Sequence, residues 1–221
     1  MLCTLINTTD YTTFGLVTFA IGCLGWLVVY VLVVRDIIKT KTLEIPIAAI
    51  CSNFGWEIYW GIFYKTDMGT VFQWAYFLWF FFDLPVVYLA LKHGRSQMVT
   101  PFAYKYYFQQ VAGVFLFWML FYYFFIPEYD DAFGGLTGFL INTYMSILYI
   151  FQKIKQPFTF GKNPAVAWLK LFSTGMCTFV CFQRYPTHYT LQFFCIAFAL
   201  ADLVYIYLVY NTKKIFGEPK I

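Results

Sequence analysis

The sequence predicts an all-α protein, a polytopic bundle of seven transmembrane helices that forms one domain over residues 1–221. Three observations support this prediction. The chain is 61% hydrophobic and only 12% charged, whereas soluble domains carry roughly 25% charged residues. Apolar stretches recur at lengths near the ~20 residues that a membrane-spanning helix needs. Basic residues concentrate in alternate loops, which is typical of a polytopic membrane protein.

The seven apolar stretches leave room only for short connections. The predicted spans are residues 12–34, 45–64, 70–91, 106–126, 132–151, 165–184 and 188–210. Span one is long enough to cross a membrane and lacks a basic leader, so no cleavable signal peptide is expected. Pro46 lies at the start of span two, Pro127 follows span four and Pro164 precedes span six, at positions where helices start and stop. Pro85 lies inside span three, where it can kink the helix.

The loops differ sharply in charge. Thirteen basic residues are assigned to one side: Arg35, Lys39, Lys41, Lys92, Arg95, Lys105, Lys153, Lys155, Lys162, Lys170, Lys213, Lys214 and Lys220. Only Lys65 and Arg184 are assigned to the other side. By the positive-inside rule, this places the N-terminus outside or in a lumen and the C-terminus in the cytoplasm.

Carboxylic acids within the spans are the first functional signal. Glu57, Asp83 and Asp202 all lie in apolar segments, and no lysine is expected in the middle of these spans. An ionisable group at membrane depth is costly unless it faces a partner or a cavity. Without a cation, such acids should hold their protons near neutral pH. They are therefore candidate proton donors.

In span two, a polar and aromatic face surrounds Glu57. Asn53, Trp56, Glu57 and Trp60 follow helical i, i+3, i+4, i+7 spacing, so they share one face. Asn53 lies one turn from Glu57 and could hydrogen-bond its carboxyl group. The alternative interpretation is that these polar side chains join two helices within the membrane.

In span seven, Asp202 shares a face with Phe198 and Tyr205. It lies about fourteen residues, or ~21 Å, from the outer end of its span, whereas Glu57 lies about seven residues, or ~10 Å, from the outer end of span two. The two acids should therefore bracket a substrate rather than share one proton. An interhelical hydrogen bond from a neutral Asp202 is the alternative.

Three further residues could line the same cavity. Asp83 follows an aromatic run that includes Phe80, and Asn142 lies in the middle of span five. Each polar side chain could instead join helices. Aromatic residues deep in the spans would suit a cationic intermediate, because the faces of aromatic rings attract positive charge.

Several signatures are missing from the sequence. The two histidines form no cluster, Asp130-Asp131 lacks the remainder of a DDxxD magnesium motif, and no CxxC pair occurs. No cofactor and no metal are therefore expected, and the net charge of +4 requires no nucleic-acid partner. The expected partners are the lipid bilayer and a lipophilic small molecule.

Taken together, these residues resemble a known family. Gly25-Trp26, the segment 51–58 with its Asn-x-x-Trp-Glu run, Ala201-Asp202 and the segment 171–184 are similar to small integral-membrane terpene cyclases. The best-known members act in fungal meroterpenoid and indole-diterpene pathways, among them the paspaline and pyripyropene cyclases, and bacterial relatives exist. The resemblance covers nearly the whole chain.

The resemblance implies a function and roles for residues. Glu57 and Asp202 would be catalytic, protonating an epoxide or alkene of a prenyl chain that is free or attached to an aromatic or indole head group. Carbocation cyclisation would then proceed without metal. The residues expected to bind substrate are Asn53, Trp56, Trp60, Phe80, Asp83, Asn142, Arg184, Phe198 and Tyr205. The alternative function is a small proton-coupled transporter or sensor that uses the same acids as a relay.

Overall fold

The computed structural model describes residues 4–218, so Cys3 and Lys220 lie outside the described part of the chain. Within that range every regular element is helical. The α-helices are α1 Thr13–Thr40, α2 Ile47–Ile58, α3 Thr70–His93, α4 Pro101–Lys105, α5 Tyr107–Tyr129, α6 Gly135–Lys155, α7 Pro164–Arg184, α8 Tyr189–Tyr210 and α9 Thr212–Phe216. A π-helical turn, Tyr59–Phe63, continues α2, and a 3₁₀ turn, Gly94–Gln97, follows α3.

A helix lies at each predicted span, which confirms the all-α class. Among residues 4–218, five helical segments are long and apolar enough to cross a membrane: Thr13–Thr40, Thr70–Gln97, Tyr107–Tyr129, Pro164–Arg184 and Tyr189–Tyr210. The two remaining segments are short or more polar. Helix α2 has only 12 residues before its π turn, and α6 carries several hydroxyl and amide side chains. The count of seven spans therefore stays a prediction.

The outward faces of the long helices are apolar. On α1, for example, Leu24, Val28 and Val31 are all exposed. Contiguous exposed apolar surface of this kind is unfavourable in water and is typical of a protein that contacts lipid. The polar side chains point inward instead, as Glu57, Asp83 and Asp202 do.

Helices α1 and α7 pack closely through small residues. A Cβ atom added to Gly22 would lie 2.6 Å from the carbonyl oxygen of Ser173, and one added to Gly25 would lie 2.2 Å from the Ser173 hydroxyl. Small residues allow such close approach between membrane helices. This contact brings α7, with its polar residues, against the centre of the bundle.

The loop before α6 is held over the bundle by two carboxylates. Asp131 accepts hydrogen bonds from the amides of Gly135 at 2.8 Å and Leu136 at 2.7 Å, and Asp130 accepts one from the Thr137 amide at 3.1 Å. Negative charge at a helix N-terminus is stabilising. Burial, with the charge of Asp131 second, raises the pKa of Asp130 to about 7. The Asp-Asp pair is thus a helix cap.

One basic residue is not where the sequence analysis placed it. Lys170 was assigned to a loop, but α7 begins at Pro164 and Lys170 is 1% exposed in its side chain. It lies six residues, or about 9 Å, inside the helix. The number of basic residues on the basic side therefore falls from thirteen to twelve, and the other side has two. The predicted spans that carry Glu57, Asp83 and Asp202 contain no lysine, as expected, whereas Lys170 lies in another predicted span, 165–184.

Candidate active site

A cavity lies between α1, α2, α3, α6 and α7 and is covered by the loop before α6. Its volume, counted as the space open to the centre of a water molecule, is about 60 Å³. Aromatic side chains dominate the wall: Phe19, Trp26, Tyr30, Trp56, Tyr76, Trp79, Phe133 and Phe139. Such a wall attracts cations through its ring faces without offering a nucleophile.

Hydrogen bonds at the ring edges hold three of these aromatic side chains. The Trp56 indole donates to the Thr137 hydroxyl at 2.9 Å, and the Trp79 indole donates to the carbonyl of Cys23 at 3.2 Å. The Tyr76 hydroxyl donates to the carbonyl of Phe133 at 2.7 Å. Polar edges of buried aromatic rings need such partners. These hydrogen bonds orient the three rings, and the one from Tyr76 also ties the covering loop to α3.

Glu57 reaches the wall of this cavity from α2. Its side chain is buried, and its Oε1 accepts hydrogen bonds from the Tyr30 hydroxyl and from the Asn53 amide, the latter at 2.9 Å. Its Oε2 is buried without a hydrogen-bond partner among the described residues. Glu57, Asn53 and Tyr30 all line the cavity. One carboxyl oxygen is thus held in place, and the other makes no hydrogen bond with the described residues.

Asp83 joins the same cluster from α3. The Asn53 amide approaches its Oδ2 at 3.4 Å, so one side chain bridges Glu57 and Asp83. Asp83 is buried but is absent from the cavity wall. No lysine or arginine of residues 4–218 pairs with either acid. Two carboxylates at low dielectric repel each other, which favours a cluster that retains at least one proton.

The π-helical turn begins two residues after Glu57, at Tyr59. The Tyr64 amide bonds to the carbonyl of Tyr59 at 2.7 Å, and the Gln73 side chain of α3 donates to the carbonyl of Trp60 at 2.8 Å. Irregular helix at membrane depth requires such compensation for its freed carbonyls, and π turns are frequent at functional sites. Helix α2 therefore ends within two turns of Glu57.

Asp202 lies in a different polar cluster, between α6, α7 and α8. Its Oδ1 accepts a hydrogen bond from the Lys170 ammonium at 2.6 Å, and both side chains are 1% exposed. Lys170 also donates to the Ser146 hydroxyl at 2.6 Å. The expectation that Asp202 has no cation beside it was therefore wrong. The lysine stem spans the distance from α7 to α8, a contact that the spacing within α8 alone could not reveal.

The structure brings four of the predicted residues to one cavity. Glu57, Asn53, Trp56 and Asn142 line its wall. The others lie elsewhere: Asp83 behind Asn53, Asp202 beside Lys170, Trp60 against Gly134, Phe80 stacked on Phe54, Phe198 against Phe139, Tyr205 against Tyr149 and Arg184 near Asp10. Only Asp202 was expected to act chemically among these outlying residues.

Sequence reasoning missed Tyr30, Tyr76, Trp79 and Lys170. A signal for Lys170 existed, because a lysine seven positions into an apolar helix must find a partner. Tyr30 carried no such signal, since tyrosine is abundant throughout the chain, which has 19. Its contact with Glu57 depends on how α1 packs against α2.

These features define a membrane-embedded helical bundle with carboxylic acids beside an aromatic cavity. Over residues 9–215 the chain matches the Pyr4-like transmembrane terpene cyclases, and it belongs to that family. The family assignment confirms the predicted resemblance and supports an enzyme of the terpene cyclase class over a transporter. No solved structure matches the chain.

Individual relatives are similar over a shorter segment. The terpene cyclase ascF of Acremonium egyptiacum is 32% identical over 83 residues, which are 35% of this chain and 28% of that protein. The Pyr4-family terpene cyclase mfmH of Annulohypoxylon moriforme is 31% identical over 74 residues, covering 34% and 30%. The terpene cyclase atmB of Aspergillus flavus is 35% identical over 81 residues, covering 36% and 32%. The alignments thus span about a third of each relative.

Proposed function

We propose that this protein cyclises the prenyl chain of a lipophilic substrate, with Glu57 as the acid that starts the reaction. The observation that carries the proposal is Glu57 at the wall of an aromatic cavity, with an Oε2 that has no hydrogen-bond partner among the described residues. The substrate class comes from the family: a prenyl chain, epoxidised or with a terminal alkene, free or attached to an aromatic or indole head group.

The proposed reaction adds one proton to the substrate and later removes one proton from the cyclised cation. Glu57 donates its proton to the epoxide oxygen or to the terminal alkene carbon. The epoxide C–O bond opens, or the alkene π electrons form the new C–H bond, and a carbocation results. The next double bond attacks this cation and closes a ring. Loss of a proton from carbon ends the sequence, so the product is an isomer of the substrate.

The surroundings of Glu57 suit this role. Tyr30 and Asn53 bind one carboxyl oxygen and so orient the other. The faces of the aromatic rings in the wall stabilise positive charge on a bound substrate. Because the cavity is small, a prenyl chain must push lining side chains apart as it binds, which favours a tightly folded substrate.

The orientation in the membrane belongs to the same proposal. Seven spans with an outer or lumenal N-terminus and a cytoplasmic C-terminus would place the cavity and its covering loop near the outer face. The cluster of Asn53, Glu57 and Asp83 would then lie at the cavity floor, within the membrane.

The test is Glu57→Gln, because glutamine preserves shape and hydrogen bonding but has no proton to donate. Membranes that contain the protein are supplied with prenylated and epoxyprenylated arenes, and isomeric products of unchanged mass are measured. We expect turnover to fall by roughly 10²-fold or more, with folded protein at the wild-type level by gel filtration in detergent.

Glu44→Gln is the matched control. It makes the same change at another buried glutamate, which lies in the loop between α1 and α2 and away from the cavity wall. We expect it to retain turnover. Near-normal turnover by well-folded Glu57→Gln would remove Glu57 from the mechanism.

A further inference from the structure

Lys170 and Asp202 form an ion pair in the interior of the bundle. The Lys170 ammonium lies 2.6 Å from Asp202 Oδ1, and each side chain is 1% exposed. A charge at this depth is retained only when it is paired and hydrogen-bonded. Lys170 and Asp202 thus compensate each other's charge, whereas Glu57 has no lysine or arginine partner among residues 4–218.

The contacts of Lys170 fit the charged form. Its Nζ donates to Asp202 and to the Ser146 hydroxyl, and it lies 5.7 Å from the centre of the Tyr149 ring. The Ser146 hydroxyl donates its own hydrogen to the carbonyl of Asn142 at 2.7 Å, so toward Lys170 it can only accept. A carboxylate, a hydroxyl acceptor and a ring face together suit an ammonium, which has three hydrogens to donate.

The pair connects to the cavity through two helices. Thr174 lies one turn beyond Lys170 on α7, and Asn142 lies one turn before Ser146 on α6. The Thr174 hydroxyl donates to the Asn142 side-chain oxygen at 3.3 Å, and both residues line the cavity. Lys170 thus ties together the two helices that present this polar edge.

Asp202 itself is one layer away from the cavity. Phe198, one turn from Asp202 on α8, packs against Phe139 with ring centroids 5.8 Å apart, and Phe139 lines the cavity. Asp202 therefore acts on the site through neighbours, whereas Glu57 faces it.

We propose that Lys170 is a positioning residue of the cyclisation: it holds Asp202 as a carboxylate and fixes the Asn142–Thr174 edge of the cavity. Asp202 is then the counter-ion of Lys170, and the initiating proton belongs to the Glu57 cluster. The catalytic part of this proposal rests on the proposed function.

The first test measures stability and needs no substrate. Lys170→Met, Asp202→Asn and the double variant are compared with wild type by thermal unfolding in detergent. Each single variant should lower the unfolding temperature, because it leaves one buried charge without its partner. The double variant should recover most of the loss. A double variant with the summed loss of the two singles contradicts the pairing.

The control is an ion pair at the surface. Lys213 and Glu218 lie 3.3 Å apart with side chains that are 74% and 73% exposed. The same set of variants, Lys213→Met, Glu218→Gln and both together, should show no recovery, since exposed pairs contribute little. If a single variant at the buried pair yields no folded protein, the double variant decides alone: recovery of folded protein supports the pair, and failure counts against it.

The second test is the pH dependence of turnover, expressed per amount of folded protein so that differences in stability between the variants do not enter. Lys170→Met should lose turnover at neutral pH by up to ~10²-fold, because a misplacement of about 1 Å in a site can cost that much. That deficit should shrink as pH falls, because protonation removes the unpaired charge of Asp202. The deficit of Asp202→Asn should shrink as pH rises, because Lys170 then loses its proton. The double variant should keep a constant ratio to wild type.

Two tyrosines face the pair, Tyr149 from α6 and Tyr205 from α8. Glu44, in the loop before α2, interacts electrostatically with both tyrosines. Phenols ordinarily titrate near 10, and Glu44 is the same in all four proteins. Opposite pH trends of the two single variants therefore report on the pair.

The outcomes separate the two proposals. If folded Asp202→Asn and the double variant are equally inactive at every pH, Asp202 is itself the proton donor and the positioning role is overturned. If wild type converts none of the prenylated arenes, the proposed function fails, and the stability comparison still decides whether Lys170 and Asp202 act as a unit.

Discussion

At the scale of single residues, ionisation of the Glu44 carboxyl group affects the stability of the protein. It is 3% exposed in the loop between α1 and α2. Burial, with the negative charge of Asp36 second, raises its pKa to about 7, although backbone amides of Lys162 and Gly161 partly offset this. The folded state thus prefers the neutral acid. Its stabilising contribution is complete below the ordinary pKa of glutamic acid and is lost as pH rises through about 7.

Replacing Glu44 by glutamine should remove this pH dependence. We expect wild type to lose stability relative to Glu44→Gln as pH rises from about 4.5 to above 7, because only wild type must then bury a charge. Thermal unfolding in detergent at a series of pH values measures the difference. A difference in unfolding temperature that stays constant across this range would contradict the assignment.

The polar residues show how far a single sequence leads at this scale. Glu57 was predictable because an acid in an apolar helix must have a reason to be there, and its partner Asn53 follows from helical spacing within the same segment. Lys170 and Asp202 lie 32 residues apart in the chain. Their contact depends on the packing of α7 against α8, so spacing within either helix carries no information about it.

At the scale of elements, the contact between α1 and α7 depends on glycine. Gly22→Ala should loosen it, because the new Cβ would lie 2.6 Å from a backbone carbonyl of α7 and backbone cannot rotate aside as a side chain can. We expect a loss of roughly 1–3 kcal/mol in the free energy of unfolding. The loss should reduce turnover as well, since α1 and α7 both contribute to the cavity wall.

Gly175→Ala provides the matched control on α7. Nothing lies within 4 Å of a Cβ atom added there, so the change should be neutral or stabilise by up to ~1 kcal/mol through better helix propensity. Chemical denaturation of both variants in the same detergent measures the contrast. Equal effects of the two substitutions would show that the α1–α7 contact is looser than the structure indicates.

The helix boundaries divide into those the sequence could predict and those it could not. Helix α7 begins at Pro164, as its proline indicated. The π turn after α2 left no mark in the sequence, because it is stabilised from α3 by Gln73. The role of Asp130 and Asp131 as caps of α6 was also hidden, since the sequence analysis considered them only as an incomplete metal motif.

At the scale of the whole molecule, the loops segregate to two ends. At one end, Asn7 donates to the backbone of Asp67, and Arg184 lies 3.6 Å from Asp10. At the other end, Asn163 donates to Asp36 at 2.6 Å, and Gln97 accepts from the Leu43 amide at 3.1 Å. The two groups of loops are those that the alternation of basic residues separated. Apolar length and charge bias thus predicted the arrangement of the bundle, whereas its internal contacts required the packed structure.

The orientation of this bundle in the membrane can be tested by labelling single cysteines from one side. Glu128→Cys lies at the acidic end, and Lys213→Cys lies at the basic end, each in a protein that also carries Cys3→Ser. The five other cysteines are buried and should react slowly.

Twelve basic residues favour the cytoplasm, so the acidic end should face the outside or a lumen. If the protein lies in the plasma membrane, a maleimide reagent that cannot cross the membrane should label Glu128→Cys in intact cells. In sealed inverted vesicles the same reagent should label Glu128→Cys only after the vesicles are opened. Lys213→Cys should show the reverse accessibility, and both should react after detergent is added, which shows that each cysteine is reactive. Labelling of Lys213→Cys from the outer or lumenal side would invert the proposed topology and place the covering loop of the cavity in the cytoplasm.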